Sequence, residues 1–231
     1  SVRVDLEGRV DWRLQHPSDD GTADDSEDAD GRDPRVTGFL PADPSDVQAE
    51  LAQYGMTLLG GFTPVVLHDP AMRDETIRQA TATAELFQRA GGTKFVSAVV
   101  MDPDWSQPRG LSVDEQRHMT EMFAVIDDIC AEHGLEQVLH SHVMTLVETA
   151  DDVNRVLDSC DVHWCLDTGH LAIGGVDPVA FAQEAFERVG HVHLKDVRLD
   201  MVPPVLSRDV TLMAATQGGL FTPLGQGDVD I

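Results

Sequence analysis

The chain has 231 residues, enough for one large domain with a sizeable core. It carries 41 acidic against 16 basic side chains, a net charge of −25. Such a charge repels nucleic-acid phosphates and anionic lipids, so we expect neither nucleic acid nor membrane as a partner. No apolar stretch approaches the roughly 20 residues of a membrane span, and the charged first residues are unlike a signal peptide.

The cysteines give a second indication of the cellular compartment. Cys130, Cys160 and Cys165 are odd in number and lack CxxC spacing. This pattern favours reduced, structural thiols over a disulfide framework. We therefore expect a cytoplasmic protein.

The first 35 residues differ in composition from the rest of the chain. Residues 1–16 show a weak apolar alternation, and a weak strand or hairpin of uncertain role is expected there. Residues 17–35 carry eight acids and almost nothing apolar, so they are predicted to be a disordered insert or linker. We expect the folded unit to span residues 36–231.

From residue 36 onward, apolar runs alternate with helical patterns. Asp43 is a good N-cap before Pro44, and Ser112 with Glu115 forms a capping box that begins another helix. Strands are predicted at 36–40, 56–67 with a Gly-Gly interruption, 95–101, 137–142, 162–166 and 191–194. Helices are predicted at 44–55, 71–90, 112–134, 151–157 and from 177 to near 190.

This alternation predicts an α/β fold with a parallel sheet. No GxGxxG or GxxxxGK[ST] motif follows a strand, which disfavours a nucleotide-binding fold. A TIM-type (β/α) barrel remains, with its functional groups at the carboxyl ends of the strands. Six strands are clear, so we expect an incomplete barrel whose first strand is unclear and whose eighth is absent.

Three polar clusters follow the last three predicted strands. Six of the ten histidines fall between positions 140 and 193, and one of the two lysines follows directly. The clusters are His140-Ser141-His142, Asp167-Thr168-Gly169-His170 and His191-Val192-His193-Leu194-Lys195-Asp196. Since a parallel fold brings strand ends together, we expect one site, and imidazole with carboxylate indicates a divalent metal.

The chain from about 36 to 231 resembles the xylose-isomerase-like TIM-barrel superfamily of sugar isomerases, epimerases and dehydratases. Within it, the inosose (2-keto-myo-inositol) dehydratase subgroup is the most similar. The resemblance rests on the three clusters, on Thr145-Leu146-Val147-Glu148-Thr149, on the 218–230 segment, and on Gly38-Phe39-Leu40-Pro41 with Gly61-Phe62-Thr63-Pro64-Val65.

The resemblance implies a set of metal ligands. It assigns His140, at a position where many relatives have Glu, together with Asp167 and His193. Relatives have a fourth ligand, a Glu on the eighth strand, beyond the point where this chain stops at Ile231. Mn²⁺ or Co²⁺ is the expected metal, with Zn²⁺ or Mg²⁺ as further options.

The implied reaction is dehydration of a polyol ketone in inositol catabolism. A base removes the proton next to the carbonyl, an acid protonates the departing hydroxyl, and the cation stabilises charge on oxygen. His142, Glu148, His170 and Lys195 are the predicted catalytic groups, with base and acid unassigned. The expected partners are a small polyol or sugar and, as one option, a second copy of the chain.

Several alternatives remain open at this point. The same metal site suits an isomerase or epimerase acting on a ketose, and a truncated barrel could be inactive. Asp167 could merely cap a turn, Glu148 could be a solvent-facing acid at a helix start, and Lys195 could pair with Asp196. His191 is expected to point away from His193 and to be structural.

Overall fold

A computed structural model of the chain describes residues 3–4, 10–11, 41 and 43–230. Two short strands near the start, β1 (Arg3–Val4) and β2 (Val10–Asp11), pair antiparallel, as expected for a hairpin. The insert predicted at 17–35 and the strand predicted at 36–40 lie outside the described residues.

Five strands form one parallel sheet in chain order, which confirms the α/β class. Neighbours in the sheet follow one another in sequence. The strands are β3 (Gly60–Val65), β4 (Lys94–Val99), β5 (Glu136–His140), β6 (Trp164–Asp167) and β7 (Val189–His193). β3 has half of its predicted length, the next three strands are each one residue shorter than predicted, and β7 begins two residues earlier than predicted. A separate antiparallel ribbon pairs β8 (Asp196–Val197) with β9 (Phe221–Thr222).

The α-helices between residues 73 and 184 connect successive strands of the parallel sheet, whereas the other described α-helices precede the sheet or lie between β8 and β9. The α-helices are α1 (Pro44–Ala52), α2 (Arg73–Ala90), α3 (Val113–Glu132), α4 (Ala150–Ser159), α5 (Thr168–Ile173), α6 (Pro178–Glu184), α7 (Val202–Leu206) and α8 (Leu212–Gln217). Both predicted caps are confirmed: the Asp43 carboxylate accepts from the Ser45 amide at 2.7 Å, and Ser112 and Glu115 cap α3 reciprocally. The helix predicted to reach residue 190 ends earlier, because a 3₁₀ turn (Phe186–Arg188) intervenes.

The Gly60-Gly61 pair begins β3 instead of interrupting it. A Cβ atom at Gly61 would lie 2.4 Å from the ring of Phe87, and one at Gly60 would lie 2.2 Å from the carbonyl oxygen of Lys94. Glycine is therefore required here because α2 and β4 approach the strand closely. Sequence reasoning took a packing requirement for a break in the strand.

The two faces of the sheet have different environments. The outer face packs on the helices through a large apolar cluster that includes Phe95, Leu139 and Trp164. The inner face carries a small apolar layer of Val96, Val138 and Cys165, with the partly buried Phe62 against it. His140, Asp167 and His193 lie beyond this layer, at the carboxyl ends of their strands, which is where a barrel places its chemistry.

Two structural features bear on the expectations about membrane spans and disulfides. No helix of residues 43–230 is long and apolar enough to cross a membrane. Cys130, Cys160 and Cys165 are all free, which confirms the prediction of unpaired thiols.

Asp127, on α3, provides a pH-dependent test of stability. Burial raises its pKa to about 6, and Asp128 and Glu136 add to the shift. Because the folded pKa exceeds the unfolded one, ionisation opposes folding as pH rises from about 4 to 6. Asp127→Asn is therefore expected to gain on the order of 1–2 kcal/mol over wild type between pH 4 and pH 7. Urea unfolding at both pH values measures this gain. For the control, exposed Asp128→Asn, the difference in stability from wild type should not change comparably between the two pH values.

Candidate metal and catalytic site

The three predicted metal ligands meet at one oxygen atom. Asp167, at the end of β6, points its Oδ2 between the neighbouring strands β5 and β7. His140 Nε2 and His193 Nδ1 each lie 3.2 Å from that oxygen. Asp167 and His193 are direct neighbours in the sheet register, which fixes this approach. The sheet thus brings together side chains that are up to 53 positions apart in the sequence.

The protonation geometry of His140 is consistent with a cation at this point. Its Nδ1 lies 2.5 Å from the carbonyl oxygen of Ser141, which can only accept, so Nδ1 carries the proton. The lone pair of Nε2 therefore faces Asp167 Oδ2, itself an acceptor. Two facing acceptors need a proton or metal ion to bridge them, and an imidazole–carboxylate donor set suits Mn²⁺, Co²⁺ and Zn²⁺.

Asp167 also caps the helix that follows it. Its Oδ1 accepts from the amide of His170 at 2.9 Å, at the start of α5. The capping alternative and the ligand prediction are thus compatible, because they use different oxygens. Burial opposes ionisation of Asp167, but the surrounding imidazoles of His170, His140 and His193 hold its pKa well below the usual value. The carboxylate is therefore an anion at neutral pH.

Lys195 is buried beside the same carboxylate. Its Nζ lies 2.7 Å from Asp167 Oδ2, and only 1% of the side chain is exposed. The alternative pairing with Asp196 is wrong, because that carboxylate accepts from the amides of Gly227 and Val229 at 2.7 and 3.0 Å. Lys195 thus belongs to the site.

Gly169 explains why the loop after β6 can approach so closely. A Cβ atom there would lie 2.7 Å from the Cβ of Lys195. The hydroxyl of Thr168 fixes the same contact, since it donates to the Lys195 carbonyl at 2.6 Å and accepts from the Lys195 amide at 2.7 Å. The Asp-Thr-Gly-His motif therefore holds the lysine against the aspartate.

His142 and His170 form a second layer of imidazoles next to the first. Their ring centroids are 4.0 Å apart, and the His140 ring lies 5.4 and 5.2 Å from them. All three are buried. Burial lowers the pKa of His140 and lowers that of His170 well below the usual value, so both are neutral imidazoles at pH 7.

Glu148 does not face solvent, and that alternative is wrong. Its side chain is 6% exposed and forms a bidentate ion pair with Arg208, whose Nη1 lies 2.8 Å from Oε1. The Met144 amide donates to the same Oε1 at 3.2 Å. Because Arg208 engages both carboxylate oxygens, the predicted role as acid or base has little support from the surroundings of Glu148.

His191 does not point away from His193, and the expectation that it does is wrong. Residues two apart in a strand lie on the same face, and the two rings are in edge contact with centroids 4.9 Å apart. Burial, with the nearby charge of His193, lowers the pKa of His191 to about 4. Its register partner on β6 is Cys165, one layer deeper than Asp167.

Two aromatic side chains at the site were missed by sequence reasoning. Phe62 stacks on Trp105 with centroids 6.1 Å apart, and they lie 5.4 and 5.9 Å from the His142 ring. Trp105 follows β4 in a loop and has a φ of 56°, a left-handed conformation that is costly for a bulky residue. Its place just after a predicted strand was the available signal. Arg208 had none.

Two overlapping triads of potential metal ligands occur in the described part of the chain. His140, Asp167 and His170 offer atoms within 4.8 Å of one another, and so do His140, Cys165 and His193. The predicted set of His140, Asp167 and His193 spans both triads through the contacts at Asp167 Oδ2. His140 is common to every combination.

Comparison with known proteins agrees with the fold. Residues 25–231 match the family model described as xylose isomerase-like TIM barrel. The chain is 32% identical over 201 residues to a curated inosose dehydratase of Geobacillus kaustophilus, covering 81% of this chain and 65% of that protein. It therefore matches slightly less than two thirds of that relative's length.

Two solved structures show the same architecture. The probable 3-DHS dehydratase AsbF from Bacillus anthracis superposes with a TM-score of 0.62 at 20% identity, covering 79% of this chain and 68% of that one. The IOLI protein with a bound zinc atom gives a TM-score of 0.57 at 16% identity, with coverage of 79% and 64%. The chain belongs to the xylose isomerase-like TIM barrel family.

Proposed function

We propose that this protein is a metal-dependent dehydratase that removes water from a polyol ketone such as 2-keto-myo-inositol. The observation that carries the proposal is the convergence of His140, His193 and Lys195 on one oxygen of Asp167. The similarity to an inosose dehydratase supports the substrate class. His140, Asp167 and His193 are the proposed metal ligands.

A divalent cation held by these residues would supply Lewis-acid stabilisation of the negative charge that develops on the substrate's carbonyl oxygen. His142 is suited to be the base. Its Nδ1 lies 2.7 Å from the carbonyl oxygen of Val143 and so carries the proton, which leaves Nε2 with a lone pair. We assign Nε2 of His142 to the removal of the proton next to the carbonyl.

His170 and Lys195 are suited to donate. The Val143 amide points at His170 Nδ1 at 3.4 Å, so the neutral ring carries its proton on Nε2, which is buried and has no hydrogen-bond partner among the described residues. We assign that N–H to orienting a substrate hydroxyl. Lys195 supplies the ammonium proton that leaves with the departing hydroxyl as water. Glu148, paired with Arg208, becomes a positioning residue that holds the 144–148 loop.

Phe62 and Trp105 are proposed to pack against the apolar face of the substrate ring. The Asp102 carboxylate holds the loop by accepting from the Asp104 and Ser106 amides at 3.0 Å each. This loop geometry keeps Trp105 at its strained φ, and such strain is typical of functional loops.

Trp105→Ala is expected to raise KM about 3- to 10-fold with a smaller change in kcat, because it removes an aromatic contact worth about 0.5–1.5 kcal/mol. Steady-state kinetics measure the two constants, and Trp105→Phe should keep most of the affinity. Mn²⁺ affinity should not change. A fall in kcat alone would argue against a substrate-binding wall.

The reaction itself is tested by incubating the protein with 2-keto-myo-inositol and Mn²⁺. We expect the dehydrated dione by NMR, and no product after chelation of the metal or from His140→Ala. His133→Ala is the matched control, since His133 is the C-cap residue of α3 and its ring contacts Gln88. It should retain activity.

The outcomes separate the competing functions. Recovery of a ketose epimer without loss of water would support an isomerase or epimerase that uses the same metal site. Tight Mn²⁺ binding without turnover of 2-keto-myo-inositol would rule out that substrate but would support the proposed metal centre. Failure to bind Mn²⁺, Co²⁺ and Zn²⁺ would remove the metal-dependent mechanism and favour an inactive barrel.

A further inference from the structure

Cys165 lies directly below Asp167 on the inner face of β6. The two residues are two positions apart in one strand, so their side chains share a face. In the sheet register, Cys165 lies beside His140 of β5 on one side and His191 of β7 on the other. The thiol is 2% exposed and is not in a disulfide.

His140 and His193 can reach either Asp167 or Cys165. His140 and His193 each contact Asp167 Oδ2 at 3.2 Å. Nitrogen atoms of the two rings and the sulfur of Cys165 also lie within 4.8 Å of one another. Ligand atoms around a tetrahedral zinc are separated by roughly 3.3–3.7 Å, as metal–ligand distances of about 2.0–2.3 Å require. Side-chain rotations that move these atoms by about 1 Å would bring His140, Cys165 and His193 to the separations that a tetrahedral zinc requires.

We propose that His140 and His193 serve two alternative metal positions, an upper one with Asp167 and a deeper one with Cys165 that thiophilic cations occupy. The inference rests on the proposed function only for its two histidine ligands, and not on the dehydration reaction. The upper position offers nitrogen and carboxylate oxygen, which suits Mn²⁺ and Mg²⁺. The deeper position adds a thiolate, which selects Zn²⁺, Cd²⁺ or Co²⁺.

Occupation of the deeper position is a simple ligand exchange. The S–H bond of Cys165 breaks, its proton leaves to solvent, and a sulfur–metal bond forms without any change of oxidation state. A coordinating cation deprotonates a thiol outright, so burial of the free thiol does not prevent binding. Because His140 and His193 are shared, the two positions exclude each other. Thiophilic metals should therefore compete with Mn²⁺.

Cobalt provides the test, because thiolate ligation gives a sulfur-to-cobalt charge-transfer band in the near ultraviolet. The full chain, freed of metal, is titrated with Co²⁺ and followed by absorbance and calorimetry. We expect the band in wild type and in Asp167→Asn, and its loss in Cys165→Ala and Cys165→Ser. Cys130→Ser is the matched control, since that thiol is equally buried but lies in the outer core, and it should keep the band.

Affinities supply a second readout. Cys165→Ala is expected to weaken Cd²⁺ binding by about 10- to 100-fold while leaving Mn²⁺ affinity unchanged. Circular dichroism checks that each variant is folded. Co²⁺ binding without the band in wild type, or with a band that persists in Cys165→Ala, would overturn the deeper position and leave the upper one standing. Absence of all metal binding would overturn both.

Discussion

Asp167→Asn is expected to produce the largest loss of function of any single conservative substitution in this site. The asparagine retains Oδ1 for the His170 amide but replaces Oδ2, the oxygen shared by His140, His193 and Lys195. Mn²⁺ affinity should fall at least about 100-fold, and kcat on the order of a thousandfold. Calorimetric Mn²⁺ titration and steady-state kinetics measure these changes.

The same substitution should also reduce stability. Without the carboxylate, Lys195 is a buried ammonium with no counter-charge, which typically costs about 3–5 kcal/mol. The carboxyl pKa is held well below its usual value, so its stabilisation is present above about pH 4 and is lost on acidification. The difference in free energy of unfolding between wild type and Asp167→Asn should therefore become smaller at low pH.

Asp177→Asn is the matched control for this experiment. Asp177 is also an N-cap, accepting from the Val179 and Ala180 amides at the start of α6, but it is exposed. Asparagine caps as well as aspartate, so stability and metal affinity should both be close to wild type. If Asp167→Asn behaved like Asp177→Asn, Asp167 would be only a helix cap, and the proposed centre would have to be abandoned.

Arg208→Leu is expected to cause the second large effect, a loss of about 3 kcal/mol in the free energy of unfolding. It leaves the Glu148 carboxylate buried without its partner, and removing one member of a buried pair is costly. The pair also joins segments 60 residues apart, so the loop that carries Met144 should loosen. Urea unfolding measures the loss. Arg155→Leu, which breaks the more exposed pair with Asp152, should cost under about 1 kcal/mol.

A double-mutant cycle with Glu148→Gln distinguishes positioning from proton transfer. If Glu148 acts only through Arg208, Glu148→Gln/Arg208→Leu should be more stable than the sum of the single losses implies, with a coupling of about 1–3 kcal/mol. The pH–rate profile should then keep its shape in Glu148→Gln. A loss of one limb of that profile, with stability intact, would instead restore Glu148 as an acid or base.

The elements of the fold were largely readable from local pattern. Apolar runs of strand length, the Asp43-Pro44 cap and the Ser112/Glu115 capping box each report on a few neighbouring residues, and the structure confirms them. The errors arose where a distant contact decided the outcome. Gly60-Gly61 are glycines because Phe87 and Lys94 come close, and nothing local distinguishes that from a strand break.

The candidate site divides in the same way. The sequence placed His140, His142, Asp167, His170, His193 and Lys195 at consecutive strand ends, and the parallel sheet brings them together because strand ends share one edge. The sequence did not show which residue each of these side chains contacts. Whether Lys195 pairs with Asp196 or Asp167 depends on the turn after β7 and on the amides of Gly227 and Val229.

The sequence by itself determined the fold class, the family and a candidate set of metal ligands, because periodicity, caps and motifs are local properties of the chain. Only the tertiary structure decided how those residues act on one another. In the folded chain, Glu148 forms an ion pair with Arg208, Phe62 and Trp105 lie at the site, and Cys165 lies beneath Asp167. Ion pairing, desolvation and metal geometry depend on distances across strands and loops, and those distances exist only after folding.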